Sequence, residues 1–209
     1  MTQEIARYKA ADGQMVELTH DFICNFVCKG KVKPTVQQSV EFMVKCQARG
    51  WNPLAGDCYM TIYKNRDGST TMSIVVSKDY WVRTSHMQPT FRGMRAGIIV
   101  NNNGNVVPRE GANVWPGEQL LGGWCEVKDS RWDWPLHQEV SLAEYDQGTS
   151  VWADKPATMV RKVAITQALR EAYPNAFQGG YDESEMWYQV EDGEETPIEA
   201  YVEAVEDSE

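Results

Sequence analysis

The sequence predicts an α+β fold, a small antiparallel sheet with hairpins packed against helices, and three observations predict it. Residues rich in β-branched and aromatic side chains turn over at Asn65-Arg66-Asp67-Gly68-Ser69. A second strand turns over at Asn101-Asn102-Asn103-Gly104-Asn105, and helical segments with start and stop signals flank both hairpins. With 209 residues, 42% of them hydrophobic, and 8 Trp, there is material for a sizeable core.

The elements follow in order. Thr19 caps a short helix expected to reach about Val27. Thr35-Val36-Gln37-Gln38 is a capping box opening a helix over 36–49, which Gly50 stops and Asn52-Pro53 prevent from resuming. Strands are expected over 58–64 and 70–77, followed by a short helix over 79–87. A further strand over 97–100 precedes the Asn-rich turn, and another spans 118–128. Residues 129–151 are irregular, with one short strand near 139–141, and are expected to form a functional loop or projecting hairpin. A long helix begins at Lys155-Pro156, with Asp154 as the expected cap, and ends near Ala172 before Pro174.

Charge divides the chain. Twenty Lys and Arg stand against 30 Asp and Glu, a net −10 that by itself argues against a nucleic-acid partner. All 20 cations lie within residues 1–170, beside 17 acidic residues, for a net of +3. Residues 171–209 carry the other 13 acidic residues and no Lys or Arg, for −13. The expected division is therefore a folded core over 1–181 and an acidic, disordered tail over 182–209. No run approaches the ~20 apolar residues of a membrane span, and the N-terminus lacks the pattern of a secretory signal. The expectation is a soluble cytoplasmic protein that contacts no membrane.

Five cysteines at 24, 28, 46, 58 and 125 make no paired framework and suggest reduced thiols. His20, Cys24 and Cys28 recur every four residues, as metal ligands on one helix face would. A structural zinc site draws ligands from two separate elements, however, and the neighbouring Phe22, Ile23, Phe26 and Val27 favour core packing. The chain has no Gly-x-x-x-x-Gly-Lys-Ser/Thr loop and no Gly-x-Ser-x-Gly elbow, and His20, His86 and His137 sit in no triad context. No catalytic residue, metal or cofactor is expected. Two alternatives stay open, a protein that only covers single-stranded DNA and a nuclease: Glu126-Val127-Lys128 places a carboxylate and an ammonium on one strand face, as Mg²⁺-dependent nucleases do, although no preceding strand offers the accompanying Asp.

The long helix is the more informative feature. Lys155, Arg161, Lys162 and Arg170 form a broad cationic band, and no acidic residue stands between Asp154 and Glu171. A solvated face accounts for such a band; phosphates suit it equally. The projecting segment adds Lys128, Arg131, Trp132 and Trp134, mixing cations with aromatic rings as single-strand binders do. Lys78 and Arg83 flank Tyr80-Trp81 and would extend the same surface.

Across these residues the chain resembles the phage RecT/Bet family of single-strand annealing proteins, to which the lambda phage annealing protein belongs. The blocks are Cys46-Gln47-Ala48-Arg49-Gly50-Trp51-Asn52-Pro53-Leu54, Val75-Val76-Ser77-Lys78-Asp79-Tyr80-Trp81 and Arg95-Ala96-Gly97-Ile98-Ile99-Val100. Gly122-Gly123-Trp124 and Glu144-Tyr145 follow, then the run from Trp152 through Arg170, and last Gly179-Gly180-Tyr181-Asp182-Glu183. The resemblance implies ATP-independent annealing of complementary single strands in phage recombination, without covalent catalysis, inside a bacterial host. It implies a homo-oligomer, ring or helical filament, that holds single-stranded DNA and then the annealed duplex intermediate. An accompanying exonuclease or host single-strand-binding protein is a further implied partner, although no counterpart of the lambda protein's C-terminal partner-recruiting domain is long enough here. Residue by residue it marks Arg161, Lys162 and Arg170 as phosphate-binding, with Lys155 beside them and Lys128 and Arg131 on the projecting segment. Ala157 and Val163 stand where the lambda protein carries Lys, so the cation pattern is shifted within the helix.

Overall fold

The computed structural model describes residues 5–65, 68–146, 148, 150–177, 188–191 and 194–197. They fall into two compact units, one drawn from 1–77 and 186–209 and the other from 78–185.

The first unit opens with a hairpin that the sequence reading did not anticipate, β1 (Ile5–Lys9) against β2 (Met15–Thr19). Its alternation is carried by Tyr8, Val16 and Leu18 turned inward, while Arg7 and Glu17 pair across the outer face at 2.6 Å. Thr19 caps α1 (His20–Phe22) as expected, accepting from the Phe22 amide, and the helix widens into a π-helical turn, Ile23–Val27. The short strand β3 (Cys28–Lys29) follows.

Helix α2 (Val36–Arg49) has the bounds its capping box predicts, with both reciprocal bonds of Thr35 and Gln38 formed. Gly50 ends it at φ 65, a left-handed conformation that glycine adopts without steric cost. Asn52 then works in several directions. Its amide donates to Asp57, its Oδ1 accepts from the Leu54 and Ala55 amides, and its Nδ2 donates to Asp12 at 2.8 Å. The Trp51-Asn52-Pro53 block is thus a buried corner tying the end of α2 to the first hairpin, with Tyr8 donating to the Trp51 carbonyl. Strands β4 (Cys58–Lys64) and β5 (Thr70–Val76) form the expected hairpin, and β3 joins β4 in parallel to complete a three-stranded sheet. Of the hairpin turn, Arg66 and Asp67 lie outside the described residues.

The second unit opens with α3 (Lys78–His86) and contains an antiparallel sheet of order β7-β6-β8-β9. Its strands are β6 (Phe91–Asn102), β7 (Asn105–Glu110), β8 (Gln119–Asp129) and β9 (Leu136–Ser141). Strand β6 starts six residues before its expected first residue, since Gly93 and the charged Arg92 and Arg95 hide the alternation. Strand β7 contains Pro108, which a central strand excludes but an edge strand tolerates. The segment expected to project pairs instead with β8 along β9 and then forms α4 (Leu142–Tyr145).

A short helix and a long one meet at residue 155. Asp154 ends α5 (Ser150–Asp154); it does not cap α6 (Pro156–Ala172). Lys155 occupies the capping position without a side-chain bond, and Pro156 takes the first helical position, where its missing N–H costs nothing. Nine residues of α6 are buried, among them Val160, Val163, Ala164, Ala168 and Leu169. The helix is therefore a core element that packs on β6, β8, β9 and α3, and only a minor part of its surface meets solvent.

That seat is made by glycine. A Cβ on Gly123 of β8 would lie 2.5 Å from the Val160 carbonyl oxygen and 3.0 Å from the Arg161 amide nitrogen, so helix backbone rests directly on strand backbone. The described parts of residues 182–209, the region expected to be an acidic tail, are β10 (Tyr188–Glu191) and β11 (Glu194–Pro197), which pair antiparallel; the rest lies outside the described residues.

Gly123→Ala forces α6 away from β8 and is expected to destabilise the fold by roughly 2–3 kcal/mol. Thermal unfolding checks it: the midpoint should fall by roughly 5–10 °C, and an unchanged midpoint would show that the close approach relaxes at no cost.

Candidate nucleic-acid interface

The eight cations singled out in the sequence occupy different environments. Lys155 is exposed at the start of α6, and Lys162 is half-buried two turns along. Arg161, also half-buried, donates through Nε to the Ala96 carbonyl of β6 at 3.2 Å, so it fixes the helix to the sheet as well as carrying charge. Arg170, nearer the other end, lies over the Trp81 ring of α3 at 6.0 Å. Lys78 and Arg83 stand at the two ends of that same short helix, Lys78 with Asp79 3.6 Å away. Arg170 thus meets the helix that also carries Lys78 and Arg83, while Lys155, Arg161 and Lys162 belong to the N-terminal half of α6.

Lys128 is exposed on the other side of the sheet. Cys125 and Val127, which alternate with it along β8, are fully buried on the side where Gly123 meets α6. Glu126 shares the outer face with Lys128, and its register partner on β9 is His137. The His137 ring stands between two carboxylates, with Nδ1 3.2 Å from Glu126 and Nε2 3.1 Å from Glu139. Those hydrogen bonds, Glu139 first, raise the imidazole pKa and favour the doubly protonated ring. Trp124 stacks on the same ring at 6.2 Å, and Arg95 of β6 pairs with Glu110 at 2.6 Å. Asp129, the nearest aspartate on that strand, points to the opposite face and is buried. Among the described residues no group of three or more His, Cys, Asp or Glu is placed to hold a metal ion. His20 binds Ser39 at 2.8 Å and approaches the Cys24 sulfur at 3.6 Å, while Cys28 is buried in the core.

Arg131 has a structural engagement that the sequence did not reveal. Its backbone amide and Nε both donate to Asp129 Oδ1, and its Nη2 donates to Oδ2 at 3.1 Å. Nη2 also reaches the Ala172 carbonyl at the end of α6. Thr90 and Tyr173 each donate a hydroxyl to Oδ2 at 2.7 Å, so the buried carboxylate is fully satisfied. The Arg131 bonds hold the Asp129 carboxyl far below the usual carboxylate range, against the opposing effect of burial. Burial and the same carboxylate push the Tyr173 phenol up. The guanidinium lies over both Trp132 and Tyr173, at 5.1 and 5.5 Å. One face of Arg131 thus locks the end of β8 to the end of α6, and half of its side chain stays exposed. Trp134, by contrast, is 83% exposed and belongs to no core.

Sequence reasoning missed Arg92 and Arg95, Arg92 being exposed beside Phe91, as well as the His137 bridge. No linear spacing encodes these groupings; they arise from cross-strand register.

A model of the RecT family matches residues 27–200 of the chain. An uncharacterized protein of Ureaplasma parvum serovar 3 is 26% identical over 166 residues, which make up 78% of this chain and 65% of that protein. The chain thus spans slightly less than two thirds of the length of this curated relative.

Asp129→Ala strands two hydroxyls and a guanidinium and is expected to cost roughly 2–4 kcal/mol of stability. The pH dependence has a definite sign. A carboxyl whose folded pKa lies below its unfolded value of about 4 stabilises the fold fully above that pH, and the contribution is lost as pH falls below it. Unfolding midpoints of the native chain should therefore fall between about pH 5 and pH 2 more steeply than those of Asp129→Asn; parallel curves would remove Asp129 from the account of acid stability.

Proposed function

The chain belongs to the RecT family, and from that membership we propose that it binds single-stranded DNA and anneals complementary strands in phage recombination, without ATP. The observation that carries the reading is the match itself, because residues 27–200 include segments of both compact units. The α6 segment supports it physically. Lys155, Arg161, Lys162 and Arg170 place four positive charges along 16 positions that contain no acidic residue, on a helix whose position is fixed by the sheet beneath it.

Two free strands repel through their phosphates, and pairing has to nucleate. Cations held on a rigid element neutralise one backbone and order it while the base edges stay available to a second strand. Base pairing then supplies the specificity, and no covalent bond is made or broken, so no nucleophile, metal or cofactor takes part. Contacts of this kind are made to phosphate and sugar, which makes them insensitive to sequence and sensitive to salt. One chain offers few of them, so the proposed working form is a homo-oligomer, ring or filament, along one strand. A phage exonuclease or host single-strand-binding protein would act upstream by exposing or covering the strands.

The cations of the N-terminal half of α6 carry different burdens. Arg161 both carries charge and holds the Ala96 carbonyl, so its truncation mixes a packing loss with a charge loss. Lys155, exposed at the start of the helix and without a side-chain cap bond, tests charge more cleanly.

Complementary labelled oligonucleotides mixed with protein, with and without ATP and Mg²⁺, should form duplex faster than alone, with strands intact in every mixture and no dependence on ATP. Strand shortening in Mg²⁺ would replace annealing with the nuclease reading through Glu126 and Lys128. Binding that leaves the pairing rate unchanged would reduce the protein to one that covers single strands. In the same assay Lys162→Ala and Lys155→Ala should each slow annealing several-fold, and the exposed Lys155→Ala should keep an unfolding midpoint within about 2 °C of the parent. Each should also lower the slope of log affinity against log salt by about 0.7. Unchanged slopes in both would take α6 out of the interface.

A further inference from the structure

The three-stranded sheet of the first unit has two unlike faces. Cys58, Met60 and Ile62 of β4 are buried on one. Tyr59, Thr61 and Tyr63 alternate with them on the other and are half-buried, with Thr71 and Ser73 of β5 in register beside Tyr63 and Thr61. Lys29 of β3 is the register partner of Thr61 and extends over the same face, its Nζ 3.5 Å from the centre of the Tyr59 ring. These positions together hold two phenol rings, three hydroxyl-bearing residues and an ammonium, and no carboxylate. An aromatic and cationic surface of this composition is suited to a polyanion with stacking groups.

The chain itself brings a polyanion to this sheet. Strand β11 packs against β4, and the ribbon it forms with β10 belongs to the same compact unit. The ribbon sequence from 188 to 197 includes Glu191, Asp192, Glu194 and Glu195 and no cation, and residues 186–209 as a whole hold nine acidic residues and no Lys or Arg. Residues 1–77 hold nine Lys and Arg against seven acidic residues. The charges of the two segments are opposite, and the tether through the second unit keeps the ribbon at the high local concentration of an intramolecular ligand.

We propose that the acidic ribbon is an internal polyanion that occupies the tyrosine and lysine face of the three-stranded sheet and has to leave before a nucleic-acid strand takes that face. The inference rests on the reading of the protein as a single-strand binder and adds to it a surface and a competitor. Competition of this kind raises the threshold for binding. Isolated strands, or short ones, meet a covered face, whereas a long strand already held by neighbouring protomers displaces the ribbon. Salt acts on both partners, so the competition is strongest at low ionic strength, where the ribbon is held most firmly.

Two measurements on the full chain decide it. Zero-length carbodiimide coupling joins a carboxylate to an amine only where the two meet. Peptide mapping should recover links from Glu191, Glu194 or Glu195 to Lys29, in proportions that do not change on dilution, and their absence would overturn the seat. The second compares the native chain with the triple variant Glu191→Gln, Glu194→Gln, Glu195→Gln for binding to a labelled dT oligonucleotide of thirty nucleotides at about 0.1 M salt. The variant should bind roughly 3- to 10-fold more tightly, as expected when a competing intrachain state is emptied. Equal affinities, even with the links present, would overturn the competition. A native chain and a variant that both bind no oligonucleotide would defeat the single-strand reading itself, while the coupling result would still decide where the ribbon sits.

Discussion

The backbone contact between α6 and β8 is the constraint on which the second unit depends. A helix normally stands off a sheet by the thickness of its side chains; here Gly123 removes that spacer, and the Val160 carbonyl takes the space a Cβ would fill. The close seat explains why α6 is buried over most of its circumference and why its apolar positions are small or branched residues such as Ala164, Val163 and Ala168. It also fixes the rotation of the helix. Once Val160 and Ala164 face the sheet, Arg161 reaches the Ala96 carbonyl of β6 while Gln167 bonds Gln138 of β9. The far end is held separately, by the Asp129 carboxylate and Arg131, which bind Thr90, Tyr173 and the Ala172 carbonyl. A cationic helix clamped at both its middle and its end presents its charges at fixed positions, and fixed positions distinguish an ordered binding surface from a diffuse attraction.

The same clamp separates cations by purpose. Arg131 and Arg161 are engaged with the fold, Arg109 is engaged with the nearly buried Glu118, and Arg95 is paired with Glu110. Arg109, Arg131 and Arg161 each satisfy a carboxylate or carbonyl that would otherwise cost stability, a task the planar fork suits, whereas the Arg95–Glu110 pair is exposed. Lysines carry a larger share of the exposed charge, as Lys128 and Lys155 do. A strongly hydrated ammonium on a flexible stem makes point contacts with phosphate without demanding one geometry, which agrees with binding that does not read sequence.

Much of the fold was legible in the sequence wherever a terminal signal was local. The Thr35–Gln38 box and Gly50 gave both ends of α2, Thr19 gave the start of α1, and Pro156 gave the start of α6. The elements that escaped were those whose stability comes from a distant partner. The first hairpin depends on Tyr8 and Leu18 meeting the corner at Trp51 and Asn52, and β7 tolerates Pro108 only because it is an edge. Asp154 looked like a cap because its residue type is right; the preceding turn is itself helical, and the cap position moves to Lys155. For the candidate interface, spacing located the cationic helix but not the burden each cation carries. Arg131 and Lys128 are close in sequence, yet one locks α6 in place and the other lies on the opposite face of the sheet. Period-2 alternation in β8 encodes that difference, but only once Gly123 reveals which face the helix covers.

Charge arithmetic then limits how the proposed annealing works. Residues 1–170 have a net charge of only +3, and several of their cations are consumed by internal pairs. A single chain with so few uncommitted charges gains little from counterion release, and physiological salt removes most of that gain. Tight binding therefore has to come from repetition, with each added protomer contributing contacts to a strand that its neighbours already hold. An acidic segment of −13 over residues 171–209 works against a lone protomer far more than against an assembled row, because in a row the strand is presented at an effective concentration the ribbon does not match. Weak individual binding and strong collective binding are what an annealing surface requires: the strand must be held along its length yet released segment by segment as duplex forms. On this reading the net −10 is compatible with a nucleic-acid partner because it makes occupancy depend on assembly.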